Sequence, residues 1–360
     1  MPRQLSEQVI VITGASSGIG LATAREAAKR GAQVVMAARN SGDLEREAAE
    51  IRRGGGEAIA VTTDVTDLAQ VEALAKRAVE EFGRIDSWVN NAGVSLYATF
   101  REASLDDFRR VMEVNFMGQV HGARAALPHL ERSSGALICV GSTLSDRGVP
   151  LQGAYCASKH ALKGWLDSLR VELWRDGSSV RVTLVQPSSI NTPLFNKAKT
   201  QMGVMPMPIP PIYAPELGAE AILRAAAGNE RNVFVGGAGK AMSIAERLSP
   251  KLLDVQQLRQ GFEAQKTDWP KPADAPNNLY GPVETDGGMR GDFSAKEKSR
   301  SLYQEVAAHS IVAPLAAAAA LTIGALAARR LRDDPAVPVL LGLGALLLTG
   351  KSTTSLTIQR

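Results

Sequence analysis

The stretch AYCASKHALKGW, beginning at Ala154, places a tyrosine four residues before a lysine. On a helix, positions i and i+4 share a face, so the Tyr155 hydroxyl and the Lys159 ammonium can come near one another. A free phenol ionises near pH 10, too high for ready proton exchange at neutrality, and a neighbouring ammonium favours the phenolate. Such a pair could hand a proton to, or take one from, a substrate oxygen. The same spacing also describes a tyrosine on the core side of a helix and a lysine stretched toward solvent. The rest of the chain must decide between them.

A second cluster is TGASSGIG, with Gly14, Gly18 and Gly20 directly after the apolar run VIVIT. Glycines at a strand-to-helix turn allow the chain to bend sharply and let backbone N–H groups approach an anionic pyrophosphate at the positive end of the helix. Ser16, Ser17 and Ile19 complete this cradle. The spacing G-x-x-x-G-x-G departs from the general dinucleotide fingerprint, and a glycine-rich turn alone can also be structural. About twenty residues on, a carboxylate would bind the ribose 2′-hydroxyl of NAD, whereas an arginine would accept a 2′-phosphate. Here the sequence reads VVMAARN, with Ala38 and Arg39 at that place and no carboxylate. A guanidinium binds phosphate in two-pronged fashion, so NADP(H) is the expected cofactor, against the alternative of a solvated arginine in a loop.

These residues need a scaffold, and short apolar runs supply one. VIVIT at Val9, QVVMAA at Gln33, AIAVTTD at Ala58, DSWVNN at Asp86, ALICVGS at Ala136, VRVTLVQP at Val180 and NVFVGG at Asn232 alternate with helical patterns. Continuous apolar strands with helices between them predict a parallel sheet covered on both faces, an α/β doubly wound fold of the Rossmann kind. Its ligand should lie beyond the carboxyl ends of the strands, where the strand order reverses.

Taken together, TGASSGIG, NNAG at Asn90, VNFMG around Asn115, VGSTLS with Ser142 and YCASK resemble, in order and spacing, the short-chain dehydrogenase/reductase family over roughly residues 5 to 240. The resemblance decides the Y-x-x-x-K question in favour of chemistry. It implies Tyr155 as proton donor or acceptor to the substrate oxygen and Lys159 as the group that binds the nicotinamide ribose and lowers the tyrosine pKa. It further implies Ser142 as hydrogen-bond partner of the substrate carbonyl, a stabiliser of charge developing on oxygen, and Asn115 as holder of a proton-relay water. By the same resemblance Asp64 and Val65 border the adenine, and Asn90, Asn91, Ala92 and Gly93 border the adenine ribose. In isolation Asp64 would serve equally as the N-cap of the helix after DVTD. Pro187, Ile190 and Thr192 should contact the nicotinamide end, although Ser188 stands where the family carries glycine. Members of the family often pair through the helix bearing Y-x-x-x-K, which implies a homo-dimer or tetramer.

The net charge of +4 comes from scattered lysines and arginines rather than a basic block with interleaved aromatics, so no nucleic-acid partner is expected. Cys139 and Cys156 lack metal-ligand spacing and read as reduced core residues, and His121, His129, His160 and His309 assign no metal. The N-terminus runs directly into a strand without an apolar leader, so a cytoplasmic catalytic domain is expected. That domain should span residues 1–265. A Pro-, Gly-, Asp- and Asn-rich linker or extended arm should follow over 266–309, and a hydrophobic segment over 310–360. In that last segment Ile311 to Ala328 is eighteen residues without a charge, and Ala336 to Gly350 is a second apolar run beyond RRLRDD. Together they suggest a membrane hairpin or interfacial anchor. The stretch LFNKAKTQMGVMPMPIPPIY from Leu194 falls where a substrate lid would stand and offers an adaptable apolar wall. The expected activity is NADP(H)-dependent interconversion of a carbonyl and a secondary alcohol on a small, hydrophobic molecule. The alternative is a non-catalytic NADP-binding sensor or scaffold tethered to a membrane.

Overall fold

In the computed structural model, which describes residues 2–308, the seven apolar runs form the seven strands of one sheet. They are β1 (Val9–Thr13), β2 (Gln33–Ala38), β3 (Glu57–Thr62), β4 (Ser87–Asn90), β5 (Ala136–Val140), β6 (Arg181–Pro187) and β7 (Asn232–Val235). Across the sheet the order is β3-β2-β1-β4-β5-β6-β7, and every neighbouring pair is parallel. The chain winds outward from β1 to β3, then crosses back to continue from β4 to β7, so the switch in direction lies between β1 and β4. All five residues of β1 are buried, as are all five of β5, which is why these strands read as unbroken apolar runs.

Alternation along β1 divides the core in two. Val9 and Val11 pack with helices α3 (Leu68–Phe82), α4 (Leu105–Met112), α5 (Gly118–Ser133) and α6 (Gly153–Arg175) through Leu74, Val111, Leu130 and Leu162. Ile10 and Ile12 pack on the other face with α1 (Gly18–Lys29), α2 (Ser41–Arg53) and α7 (Pro215–Ala227) through Leu21, Leu44 and Ile222. A side-chain period of two along a strand gives each face its own set. Local caps fix where helices begin. Asn40 accepts from the N–H of Asp43 at the start of α2, and Asp67 accepts from those of Ala69 and Gln70 at the start of α3. The cap of α3 is therefore Asp67, not Asp64.

Two further helices, α8 (Gly237–Leu248) and α9 (Pro250–Gln256), follow β7. The segment expected as linker or arm after residue 265 then folds back. Lys266–Pro270 pairs antiparallel with Val204–Pro206, Leu279 is fully buried in the core, and the compact unit runs to Gln304 rather than ending near 265. No helix among the described residues is long and apolar enough to cross a membrane. The two apolar runs on which the anchor expectation rests, Ile311 to Ala328 and Ala336 to Gly350, lie outside the described residues.

Candidate active site

A cleft of roughly 610 Å³ opens at the carboxyl ends of β1, β4, β5 and β6. The glycine turn forms its floor. Gly14 and Gly18 have φ of +67° and +57°, a region side chains avoid, and a Cβ on Gly20 would stand 2.2 Å from the Gly14 carbonyl. Asn91 pins the turn from β4: its Nδ2 donates to the carbonyls of Thr13 and Gly14 at 3.0 and 3.1 Å. Thr13 Oγ1 in turn accepts from the N–H groups of Asn91 and Ala92. Asn91, Ala92 and Gly93 line the cleft, but Asn90 does not. It is buried behind them, accepting from Trp88 Nε1 at 2.8 Å and donating to the Gln119 carbonyl at 2.9 Å.

At the end of β2, Arg39 lines the cleft with Asp64 and Val65. Its Nη2 donates to the carbonyl of Asn278, while its Nη1 is buried without a partner, and burial lowers the guanidinium pKa below its usual value. A buried donor left unmade is costly, so this fork fits an anionic group supplied from the cleft. Asp64 does not oppose such a group with a free charge: it accepts from Thr66 and pairs with Arg110 at 3.2 Å. Ser16, Ser17, Gly18 and Ile19 face the space between.

At the other end stand Ser142, Tyr155 and Lys159. Ser142 follows β5, where its Oγ accepts from the Leu144 N–H at 3.1 Å and is thereby held in place. Tyr155 is half-buried, and Ser142 is the side chain that acts on its phenol. Lys159 is buried, donates to the Val140 carbonyl at 2.8 Å and lies 5.5 Å from the centre of the Tyr155 ring. Burial pushes the phenol up to about 12, with Ser142 pulling it down, and burial pushes the ammonium down to about 8. The expected lowering of the tyrosine by Lys159 is thus not the dominant influence here. The ammonium is directed at the Val140 carbonyl, and Ser142 is the group that favours the phenolate.

Asn115 does not reach the cleft and is fully buried. It sits in a single π-helical turn, Glu113–Met117, between α4 and α5, a local widening that often marks functional sites. Its side chain accepts from the Val94 N–H at 2.8 Å and donates to the Val94 carbonyl at 3.0 Å and to Ser158 Oγ at 3.2 Å, tying the loop after β4 to α6. Gln119, a residue the motifs did not single out, donates both to the Asn115 carbonyl and to the Val140 carbonyl that Lys159 also uses.

Pro187, Ile190 and Thr192 line the middle of the cleft. Ser188 fits where glycine was expected because its φ is not positive, and its Oγ accepts from the Gly239 N–H at 2.9 Å, at the start of α8. The predicted apolar wall is present: Leu194, Phe195, Met207 and Pro208 face Met242 of α8 and Leu253 of α9. Two consecutive residues after Ser142 fasten this wall. Asp146 accepts from Ser243 of α8 at 2.7 Å, from Gln186 of β6 and from Lys163 of α6. Arg147 bridges Glu246 of α8 at 2.9 Å and Asp254 of α9 at 2.6 Å. Also unforeseen are Lys197, which donates to Ser17 Oγ at 2.8 Å, and the arm residues Asn278 and Asp286. Among the described residues no group of His, Cys, Asp or Glu is gathered to hold a metal, and His160 is exposed with Nδ1 against the Cys156 carbonyl.

Residues 8–203 match the short chain dehydrogenase family. The chain belongs to that family. Uncharacterized oxidoreductase YxnA of Bacillus subtilis is 39% identical to this dehydrogenase over 335 residues, 92% of this chain and 93% of its own, a span that includes the arm. A short chain dehydrogenase/reductase from Burkholderia phymatum in complex with NAD matches with a TM-score of 0.63 and 28% identity, over 70% of this chain and 96% of its own. An alcohol dehydrogenase from Thermococcus sibiricus complexed with 5-hydroxy-NADP matches with a TM-score of 0.56, also at 28% identity, over 63% of this chain and 95% of its own. The short-chain dehydrogenase described here is accordingly an oxidoreductase of that family.

Proposed function

We propose that the enzyme is an NADP(H)-dependent oxidoreductase that interconverts a carbonyl and a secondary alcohol on a hydrophobic small molecule. The observation that carries this reading is that one cleft holds an unpartnered, buried Arg39 Nη1 at one end and the Ser142–Tyr155–Lys159 cluster at the other. The glycine turn and Arg39 would hold the adenosine and phosphates, and Pro187, Ile190 and Thr192 would border the nicotinamide, which supplies or accepts the hydride. Ser142 Oγ donates a hydrogen bond to the substrate oxygen, where negative charge grows during reduction. Tyr155 delivers its phenolic proton to that oxygen. Lys159 keeps a positive charge behind the phenol, which steadies the phenolate that remains. The lining of Phe195, Met207, Pro208 and Met242 excludes water and favours an apolar ligand.

The test is turnover by the purified full chain with NADPH or NADH against a panel of steroid, lipid, quinone and aromatic carbonyls. Tyr155→Phe is expected to abolish turnover while NADPH still binds, because only the acid oxygen is lost. Arg39→Asp is expected to reverse the preference toward NADH. Full activity of the first variant would refute the mechanism, and an unchanged preference in the second would refute the cofactor assignment.

A further inference from the structure

Beyond the substrate helices, the arm crosses back over the nucleotide end of the cleft and is fastened to both of its rims. On the β2 side, Asn40 Nδ2 donates to the Val283 carbonyl at 3.1 Å, Arg110 Nε to the Leu279 carbonyl at 3.1 Å, and the Asp286 N–H to Asp43. On the glycine-turn side, the Gly18 N–H donates to the Gly288 carbonyl at 3.0 Å and Lys197 pairs with Asp286 at 2.8 Å. Asn278 begins this crossing. Its N–H donates to the Lys197 carbonyl at 3.0 Å, its own carbonyl accepts from Arg39 Nη2, and the residue after it, Leu279, is fully buried.

In this closely stitched region two side-chain atoms are left without partners, Arg39 Nη1 and Asn278 Oδ1. Both residues line the cleft, and Asn278 is only 8% exposed. Each unmade buried bond is unfavourable: Arg39 Nη1 is a donor that calls for an anion from the cleft, and Asn278 Oδ1 is an acceptor, so the asparagine meets such an anion through its amide nitrogen. We infer that Asn278 is a second specificity-determining residue of the 2′-phosphate pocket, supplied by the arm and facing the same phosphate as Arg39. Its backbone carbonyl holds one nitrogen of the guanidinium fork so that the other is aimed at the phosphate. Its amide reaches the same group, since an asparagine side chain offers a donor at one end and an acceptor at the other and turns to suit its partner. This rests on the NADP(H) reading given above and places part of the cofactor specificity outside residues 8–203, the region that carries the family motifs.

Calorimetric titration of the full chain with NADPH and with NADH tests the inference independently of turnover. Asn278→Asp, which sets a carboxylate against the phosphate, is expected to weaken NADPH binding about tenfold and leave NADH within about twofold of wild type. Asn278→Ala is expected to weaken NADPH about threefold and to spare NADH. If Asn278→Asp does not fold, as judged by its melting curve, Asn278→Ala and Asn278→Ser carry the measurement. NADPH affinities unchanged in the folded variants, or equal losses toward both dinucleotides, would overturn the inference and leave the cofactor reading standing. A wild-type chain that binds NADPH and NADH equally would overturn the reading itself, and the inference with it.

Discussion

Tyr155 and Lys159 carry perturbations of opposite consequence. The phenol, pushed up to about 12, keeps its proton throughout the neutral range and is ready to donate it. The ammonium, pushed down to about 8 by burial, is the first of the two to lose its proton as the pH rises. For the reductive direction, kcat/KM is therefore expected to fall above about pH 8 as Lys159 becomes neutral, well before the tyrosine ionises. Stability moves the other way on account of this group. An unfolded lysine holds its proton up to its ordinary value of 10.5, so between about 8 and 10.5 the unfolded chain binds more protons and stability rises with pH. A pH–rate profile paired with melting curves separates the two: an alkaline limb near 8 that merely follows loss of structure would contradict the assignment to Lys159. The Y-x-x-x-K spacing was legible because helix geometry is regular. The order in which the two groups titrate was not, because it depends on burial and on the Val140 carbonyl that Lys159 contacts.

At the scale of elements, the central strands were legible because strands buried on both faces must be apolar throughout, and the glycine turn because backbone at φ near +60° admits little else. Contacts between elements were less so. Ser188 looked like a departure from the family pattern that put the local backbone in doubt, yet it secures the first turn of α8 through the Gly239 N–H. Gly239 must itself be small, since a Cβ there would stand 1.9 Å from Thr143 Cγ2. Ser188→Ala removes the acceptor and is expected to lower stability by about 1 kcal/mol. Urea unfolding should show a lower midpoint at constant slope, and an unchanged midpoint would mean that water replaces the hydroxyl at no cost. The π-helical turn around Asn115 was equally unreadable. Its residues keep a helical pattern, and nothing in their types marks the widening.

For the molecule as a whole, the arm is where sequence reading reached its limit. Residues 266–304 show no apolar period, and most of what fastens residues 278–288 is carbonyls and N–H groups, which nearly every residue possesses. A chain ended at Gln304 is expected to stay folded and to bind NADPH. One ended at 265 should melt lower and lose the nucleotide, because Leu279 and the partners of Arg39 and Lys197 go with the arm. Equal melting and binding of the two chains would show that the arm is dispensable. The opposite side of the cleft has its own whole-molecule logic in Asp146 and Arg147, two neighbours that grip α8, α9, β6 and α6 from the turn beginning at Ser142. Helices α8 and α9 are in this sense a cassette plugged into a two-pin socket. Chimeras that import residues 237–256 from a relative should keep a working proton donor when the socket and its contact residues travel together, and lose alignment at Ser142 when they do not. New substrate ranges can then arise by exchange of the cassette, with the nucleotide half of the protein left untouched.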